Sequence, residues 1–521
     1  MDTETAISTA CDLLTQGRTA DALAICDTKQ ALTTARDNAS LARWELVRSW
    51  AHQANGHIAL AMDHILRSLR LDASNAWAHL QHAILLSELG QSDAHLMALR
   101  RCLTINDQIP TAQFLLGAAN HVRGLYHEAW QHYQLALELG HPIGPENCAA
   151  FAQAADYAGD EAAAQKFTNP LCTLPDGGPN YFQLWTTSFN AFKHGQYDQA
   201  WKLYDLRHRH PSIAQSYSFD TPYWNGNYNA ATTLLIHGEQ GLGDEVMFAA
   251  SLPYLLAEAE KIDMPIILAV KPSLVALFSF NFPYCTVVPH HHTAGIIANI
   301  SSNFSVTAHI PLANLPQLFL RSPVDFKRNA QRYLCAPPPC IDHFDQLLNL
   351  LLPNRHQSLI VGLIWSCAQG KGKELDARAI PAEQLLALAS LPGIEFVSLH
   401  NQDHAHEAAQ ATGLKILDLG LWQDDLSDTA GLIHHMDIVV GVDTACTHLA
   451  GAMGKKVLQP LLKYPDWRRQ TPGDQCIWYK NTQYLRQSTM YSWFDVLARL
   501  RVILAQAQHE KQQQLNPQTY P

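Results

Sequence analysis

A helical repeat array followed by two parallel-sheet α/β domains is the fold class that the sequence predicts. Three observations carry it. Glycines recur about every 34–36 residues between apolar helical patterns over most of the first 205 residues. Two blocks of alternating strand and helix patterns follow, separated by the proline-rich stretch Cys335–Cys340. Each block holds an apolar strand that runs straight into a helix start, at Leu234–Leu255 and at Ile438–Val457.

Composition bounds the rest. A chain of 521 residues is too long for one ordinary core and implies two to four domains. A net charge of −11 argues against general nucleic-acid binding, which needs basic surface. No apolar run is long enough to span a bilayer. The start MDTETAISTA is acidic and polar, unlike a secretory signal. Eleven cysteines without a CxxC pair point to reduced thiols rather than a disulfide frame or a zinc site. The expected location is cytoplasmic, with peripheral attachment at an inner membrane left open. The run His290–His292 reads as a solvated loop in preference to a metal site.

The repeats come first in the chain. Glycines at 17, 56, 90, 124, 159 and 195 each end one helical pattern and precede another. Five residues later stands Ala22, Ala61, Ala129, Ala164 or Ala200, and His95 in the third copy. The glycine stops a helix, and the small residue lets the next helix pack closely. The clearest unit, Phe114–Pro142, has Leu116, Gly117, Gly124, Ala129, Tyr133 and Ala136 in place. This resembles the tetratricopeptide repeat, in five or six copies over residues 1–205. Such arrays hold a peptide or protein segment, or serve self-association.

Residues 206–229, with SFDTPYWNGNYN, read as a linker. The first α/β domain is expected over 230–345. Its strands are Thr232–His237 and Pro265–Val270, and its helices Glu245–Glu260 and Leu274–Phe280. The second is expected over 355–505, opening with the apolar run Ser358–Ser366. Helices follow at Pro381–Ser390, Thr429–His435, Ala445–Met453 and Trp493–Gln508, and strands at Glu395–Leu399 and Ile438–Val442. Residues 506–521 read as a frayed tail.

Two junctions could carry chemistry. In the first, Gly238, Gln240, Gly241 and Gly243 lead into Asp244 and a helix. The order GxxGxG is the reverse of the dinucleotide fingerprint, and no P-loop Lys-Ser/Thr follows. The loop reads as one that lets another molecule approach the backbone. Asp244 is then either a general base at the mouth of the sheet or a plain helix cap. In the second, Asp443 and Thr444 open a helix of small residues, Ala445, Cys446, Thr447 and His448 leading. Free N–H groups and the helix dipole there suit a phosphate.

Taken with HGEQGLGDEVMF, AHIPLANLP, GLIWS, DARAIP, FVSLH, DTAGLIHHMDIVVGVDTACTHLAGAMGKKV and YPDWR, in that order, the chain resembles the heptosyltransferase-like family of GT-B glycosyltransferases. It is most similar to the branch with N-terminal tetratricopeptide repeats. The resemblance covers about residues 220–500 and implies two Rossmann-like domains. It implies that Asp244 is the catalytic base. It assigns donor diphosphate and sugar to Asp443, Thr444, Thr447 and His448, with Arg378 on the phosphates and Lys371 and Lys373 as further candidates. Ala445 stands where relatives often have glycine, and Gly370–Arg378 is more basic than usual. Asp466 and Arg468 face a substrate or form a surface turn. Trp365 reads as core in preference to a ligand-stacking ring.

The implied activity is inverting, metal-independent transfer from a nucleotide sugar, with no cofactor. Helix N–H groups and Arg378 would stabilise the leaving diphosphate. The expected acceptor is a protein recruited by the repeats, such as flagellin or another surface protein. A saccharide or lipopolysaccharide acceptor, or a repeat scaffold with a decayed module, are the alternatives.

Overall fold

The structure is a computed structural model. It describes residues 2–27, 37–171, 178–209, 221–228, 232–290, 300, 303–366, 378–401, 410, 413–469, 473–490 and 492–515. The chain divides into two compact units, Met1–Leu171 and Cys172–Pro521.

Among its described residues the first unit holds helices alone, from Thr3–Thr15 to Glu161–Leu171. The repeat logic is visible in its turns. Gly17, Gly56, Gly90, Gly124 and Gly159 all have positive φ, between 67° and 88°. At the first, Arg18 N–H bonds the Leu13 carbonyl and Gly17 N–H that of Leu14, closing the helix in a left-handed turn. The small residue five places on is buried in every copy: Ala22, Ala61, Ala129 and Ala164. His95, the exception, is buried too, and its Nδ1 lies 2.8 Å from the Ala83 carbonyl. Gly117 is needed for packing, since a Cβ there would sit 2.6 Å from the Tyr133 ring.

The first unit ends at Leu171, so the last expected repeat copy is placed elsewhere. Its two helices, Tyr181–Lys193 and Tyr197–Asp205, lie within the second unit. Trp201 is buried there and donates from Nε1 to the Leu320 carbonyl at 2.6 Å. Phe192, Trp201 and Tyr204 join a core that also takes in Phe248, Trp467 and Trp478.

Two parallel sheets make up the rest. Strands β1 (Leu234–His237), β2 (Ile266–Val270), β3 (Cys285–Pro289) and β4 (Ala308–Pro311) are ordered β3-β2-β1-β4. Strands β5 (Leu359–Ile364), β6 (Ile394–Ser398), β7 (Ile416–Asp418), β8 (Ile438–Gly441), β9 (Lys456–Leu461) and β10 (Thr482–Arg486) are ordered β10-β9-β8-β5-β6-β7. All pairs are parallel. Strand order reverses between β1 and β4 in one sheet and between β5 and β8 in the other. Crevices at the carboxyl ends of such strands are where ligands bind in open α/β sheets. Strands β1, β2, β5 and β8 are buried on both faces, which explains their unbroken apolar runs. Trp365 is buried in the core on one face of the second sheet, as its sequence context favoured.

Three elements differ from expectation. The helix expected over Glu245–Glu260 is broken into Leu242–Phe248 and Leu252–Ala259, with Pro253 in the first turn of the second. The segment expected as a helix over Pro381–Ser390 is a 3₁₀ run, Ala382–Leu388. Its buried residues, Leu385 and Leu388, are three apart, the period of the tighter helix. The final helix spans Phe494–Leu515, so residues 506–515 are helical rather than frayed. Gln508 is buried in it, and Lys511 Nζ lies 2.6 Å from Asp437. No helix among the described residues is long and apolar enough to cross a membrane.

Candidate active site

The loop after β1 and the loop after β8 meet at the carboxyl ends of the two sheets. Each leads into a short helix, Leu242–Phe248 and Ala445–Ala452. The glycines of the first loop make this meeting possible. A Cβ on Gly243 would lie 2.8 Å from His448 Cδ2 and 3.3 Å from Ala445 Cα. One on Gly238 would lie 2.3 Å from the Glu245 carboxylate, and one on Gly241 3.0 Å from that of Asp244. The molecule approached at Gly243 is thus the second domain's own helix, where the sequence had suggested another molecule.

Asp244 sits in the first turn of its helix. Its Oδ2 accepts the Gly241 N–H at 3.0 Å, so it does cap the helix. Its Oδ1 lies 2.8 Å from Arg468 Nε of the second domain. The side chain remains 20% exposed, enough to meet a substrate. Burial raises its pKa, Arg468 opposes the rise, and Asp466 and Asp443 add to it.

Arg468 uses the other two nitrogens as well. Nη1 lies 2.8 Å from Asp466 Oδ1, and Nη2 donates to Gln240 Oε1 at 2.8 Å. Burial would push Asp466 up, but Arg468 holds it below the usual carboxylate range. The predicted surface turn at Asp466–Arg468 does form an internal ion pair, and that pair lies inside the crevice.

Asp443 has two cationic partners, Arg469 Nη2 at 2.7 Å and Arg378 Nη1 at 3.6 Å, and His448 Nε2 lies 3.7 Å away. Arg469 Nη2 also lies 2.6 Å from His448 Nε2. A guanidinium only donates, so Nε2 accepts. Burial first, then Arg469 and Arg468, push the His448 pKa well down and keep the ring neutral. Its proton is therefore on Nδ1, which donates to the Tyr479 hydroxyl at 2.8 Å. Tyr479 in turn bonds Tyr333, whose hydroxyl donates to the Val246 carbonyl of the first domain at 2.8 Å.

Thr444 caps the second helix, its Oγ1 accepting the Thr447 N–H at 3.4 Å. Thr447 Oγ1 donates to the Val442 carbonyl at 2.6 Å. That helix start is therefore less open to a phosphate than its sequence suggested. Burial pushes the Cys446 thiol up to about 12, so it stays a thiol. A small pocket beside these groups is lined by Arg378, Asp443, Pro460, Leu461, Leu462, Pro465, Asp466 and Trp493. Lys371, Lys373, His291 and His292 lie outside the described residues.

Sequence reasoning missed Arg469, Tyr479 and the pair Glu245–Lys271. The doubled arginine after Trp467 was the available signal for Arg469. Glu245 is buried, with Lys271 Nζ and N–H each 2.9 Å from its carboxylate. Burial would raise it, but His290 and Lys271 hold it low.

Residues 401–459, which contain β7, β8 and the whole helix Ala445–Ala452, match glycosyltransferase family 9 (heptosyltransferase). The match lies within the second sheet domain, around the switch point between β5 and β8. The chain is similar to protein FlbA of Caulobacter vibrioides, 28% identical over 330 residues, covering 60% of this chain and 52% of that protein. It therefore spans about half the length of that curated relative. Among solved structures it is similar to a glycosyl transferase family 9 protein from Veillonella parvula DSM 2008. That match has 11% identity over 49% of this chain and 86% of the other, with a TM-score of 0.38. It is also similar to pilF of Pseudomonas aeruginosa, at 17% identity over 40% and 92%, with a TM-score of 0.33.

Proposed function

We propose that the second unit transfers a sugar from a nucleoside diphosphate sugar to a protein acceptor, with inversion. Asp244 takes the proton of the acceptor hydroxyl. The oxygen attacks the anomeric carbon from the face opposite the diphosphate. The bond from that carbon to the diphosphate breaks, and its electron pair leaves with the diphosphate. Arg378 meets the charge that develops on the diphosphate, while the Arg469-held Asp443 and the Thr444–Thr447 helix start line the donor side toward the sugar.

One observation carries this reading. Two aspartates, each following a strand beside its sheet's switch point, face one crevice, and two consecutive arginines pair with them, Arg468 with Asp244 and Arg469 with Asp443. The helical array of the first unit supports the protein acceptor, because stacked helix pairs present an extended binding face.

The test has two stages. Thermal shift with UDP-, GDP- and ADP-sugars selects the donor, and release of nucleoside diphosphate from it measures turnover. Asp244→Asn should lower turnover at least about 10²-fold while sparing donor binding. Near-normal turnover in that variant would remove Asp244 from the role of base.

A further inference from the structure

Asp244 belongs to the first sheet domain, yet its strongest partner belongs to the second. We infer that Arg468 is the positioning residue of the base, holding Asp244 from across the crevice while seated on the helical hairpin Tyr181–Asp205. The inference rests on Asp244 being the base.

Two nitrogens of the guanidinium donate hydrogen bonds to different acceptors, and the third stands against Asp244 as an ion pair. Nε is 2.8 Å from Asp244, Nη1 2.8 Å from Asp466 and Nη2 2.8 Å from Gln240. The two hydrogen bonds fix the plane of the fork, which an ammonium cannot do, and with it the charge beside Asp244. Asp244 Oδ2 is bound to the Gly241 N–H, and Oδ1 stands beside the Arg468 charge.

The seat of Arg468 comes from the hairpin. The guanidinium lies 4.7 Å over the Trp467 ring. Trp467 packs on Phe189, Phe192 and Tyr204 at ring distances of 5.5, 4.6 and 5.4 Å. Gln240, the acceptor of Nη2, donates its amide to the Tyr204 hydroxyl. Next to it, buried Arg207 of the hairpin's end pairs with Glu239 of the same loop. Three pieces of chain therefore converge on one carboxylate, and a displacement of any of them moves the base. A 1 Å misplacement of a reacting group can cost about 10²-fold.

The charged groups facing Asp244 are Arg468, Asp466 and Asp443, all from the second domain. His448, against Gly243, is neutral. Removing Arg468 leaves a largely buried carboxylate beside two others. It then holds its proton to higher pH, and the acidic limb of the pH–rate profile moves up.

The experiment uses the full chain and nucleoside diphosphate release from the sugar donor chosen by thermal shift, measured from pH 5 to 9. Arg468→Met should lower kcat about 10²-fold near neutrality and move the acidic limb up by about one pH unit or more, with donor KM little changed. Arg468→Lys keeps the charge, so its limb stays near that of the parent while kcat falls about tenfold. Tyr204→Phe should lower kcat a few-fold with the limb unmoved, and it bears the proposal if Arg468→Met does not fold. If Asp244→Asn is inactive but both Arg468 variants keep the parent kcat and limb, this inference falls alone. If Asp244→Asn is active, the base falls and this inference with it.

Discussion

Among single residues, buried imidazoles dominate the response to pH. Burial lowers the pKa of His237 and His448 well below the usual value, and that of His309 to about 4. An unfolded chain binds protons at these rings from about pH 6.5 downward, whereas the folded chain does not. Stability therefore falls as pH drops from 6.5 toward 4, by up to about 1.4 kcal/mol per pH unit for each ring. The raised pKa of Asp244 acts in the opposite sense, above pH 3.8. Urea midpoints measured at pH 7, 6 and 5 should decline steadily. A second residue-scale prediction separates two kinds of glycine. Gly243→Ala drives a Cβ into His448 and Ala445 and should cost about 1–3 kcal/mol, lowering turnover too. Gly17→Ala meets nothing within 4 Å and costs only the strain of φ +74°, about 1–2 kcal/mol, with turnover unchanged. Urea unfolding with a turnover assay on each variant distinguishes them. The need for glycine at 17 was legible, because a left-handed turn after a helix is local. The need at 243 was not, since it depends on a helix some two hundred residues further along the chain.

At the scale of elements, the hairpin Tyr181–Asp205 is the piece that sequence periodicity misplaces. Its glycine, Gly195, has φ +71°, and Ala200 is buried, so its internal design is that of a repeat. Nothing in the period tells a repeat that stacks on the previous one from a repeat that docks on a sheet domain. The hint lay in composition: Phe182, Trp185, Phe189, Phe192 and Trp201 make this copy unusually aromatic. The strand-to-helix junctions were legible for the opposite reason. An apolar run, a turn residue and a small-residue helix are contiguous in the chain, so Asp244 and Asp443 could be singled out. Their arginines could not be paired with them, because each pairing joins separate loops. Trp201→Ala should cost about 3–5 kcal/mol, as for large aromatic truncations in a core. It should also depress turnover through Trp467. Guanidinium unfolding followed by tryptophan fluorescence, alongside the turnover assay, reads both effects. A loss confined to stability would uncouple the hairpin from the site.

For the whole molecule, the division at Leu171 sets where the chain can be cut. The second unit holds both sheets, the hairpin and every described residue of the crevice. A chain starting at residue 178 keeps the aromatic bed beneath Trp467 and should fold, bind the donor and release nucleoside diphosphate like the parent. A chain starting at residue 210 loses Phe192, Trp201 and Tyr204 from that core and exposes Trp467, Trp478 and Phe248. It should be insoluble or should melt far below the longer fragment. The two cuts differ by one helical hairpin, so the contrast isolates its contribution. The longer fragment also tests the acceptor. If the helical array recruits a protein, cutting at 178 removes transfer to that protein while donor hydrolysis persists, because only recruitment has been lost. Intact-mass analysis of candidate acceptors incubated with the full chain or with residues 178–521 makes the comparison. Equal modification by both would mean that the acceptor is recognised at the crevice itself, and would leave the array to self-association or another partner.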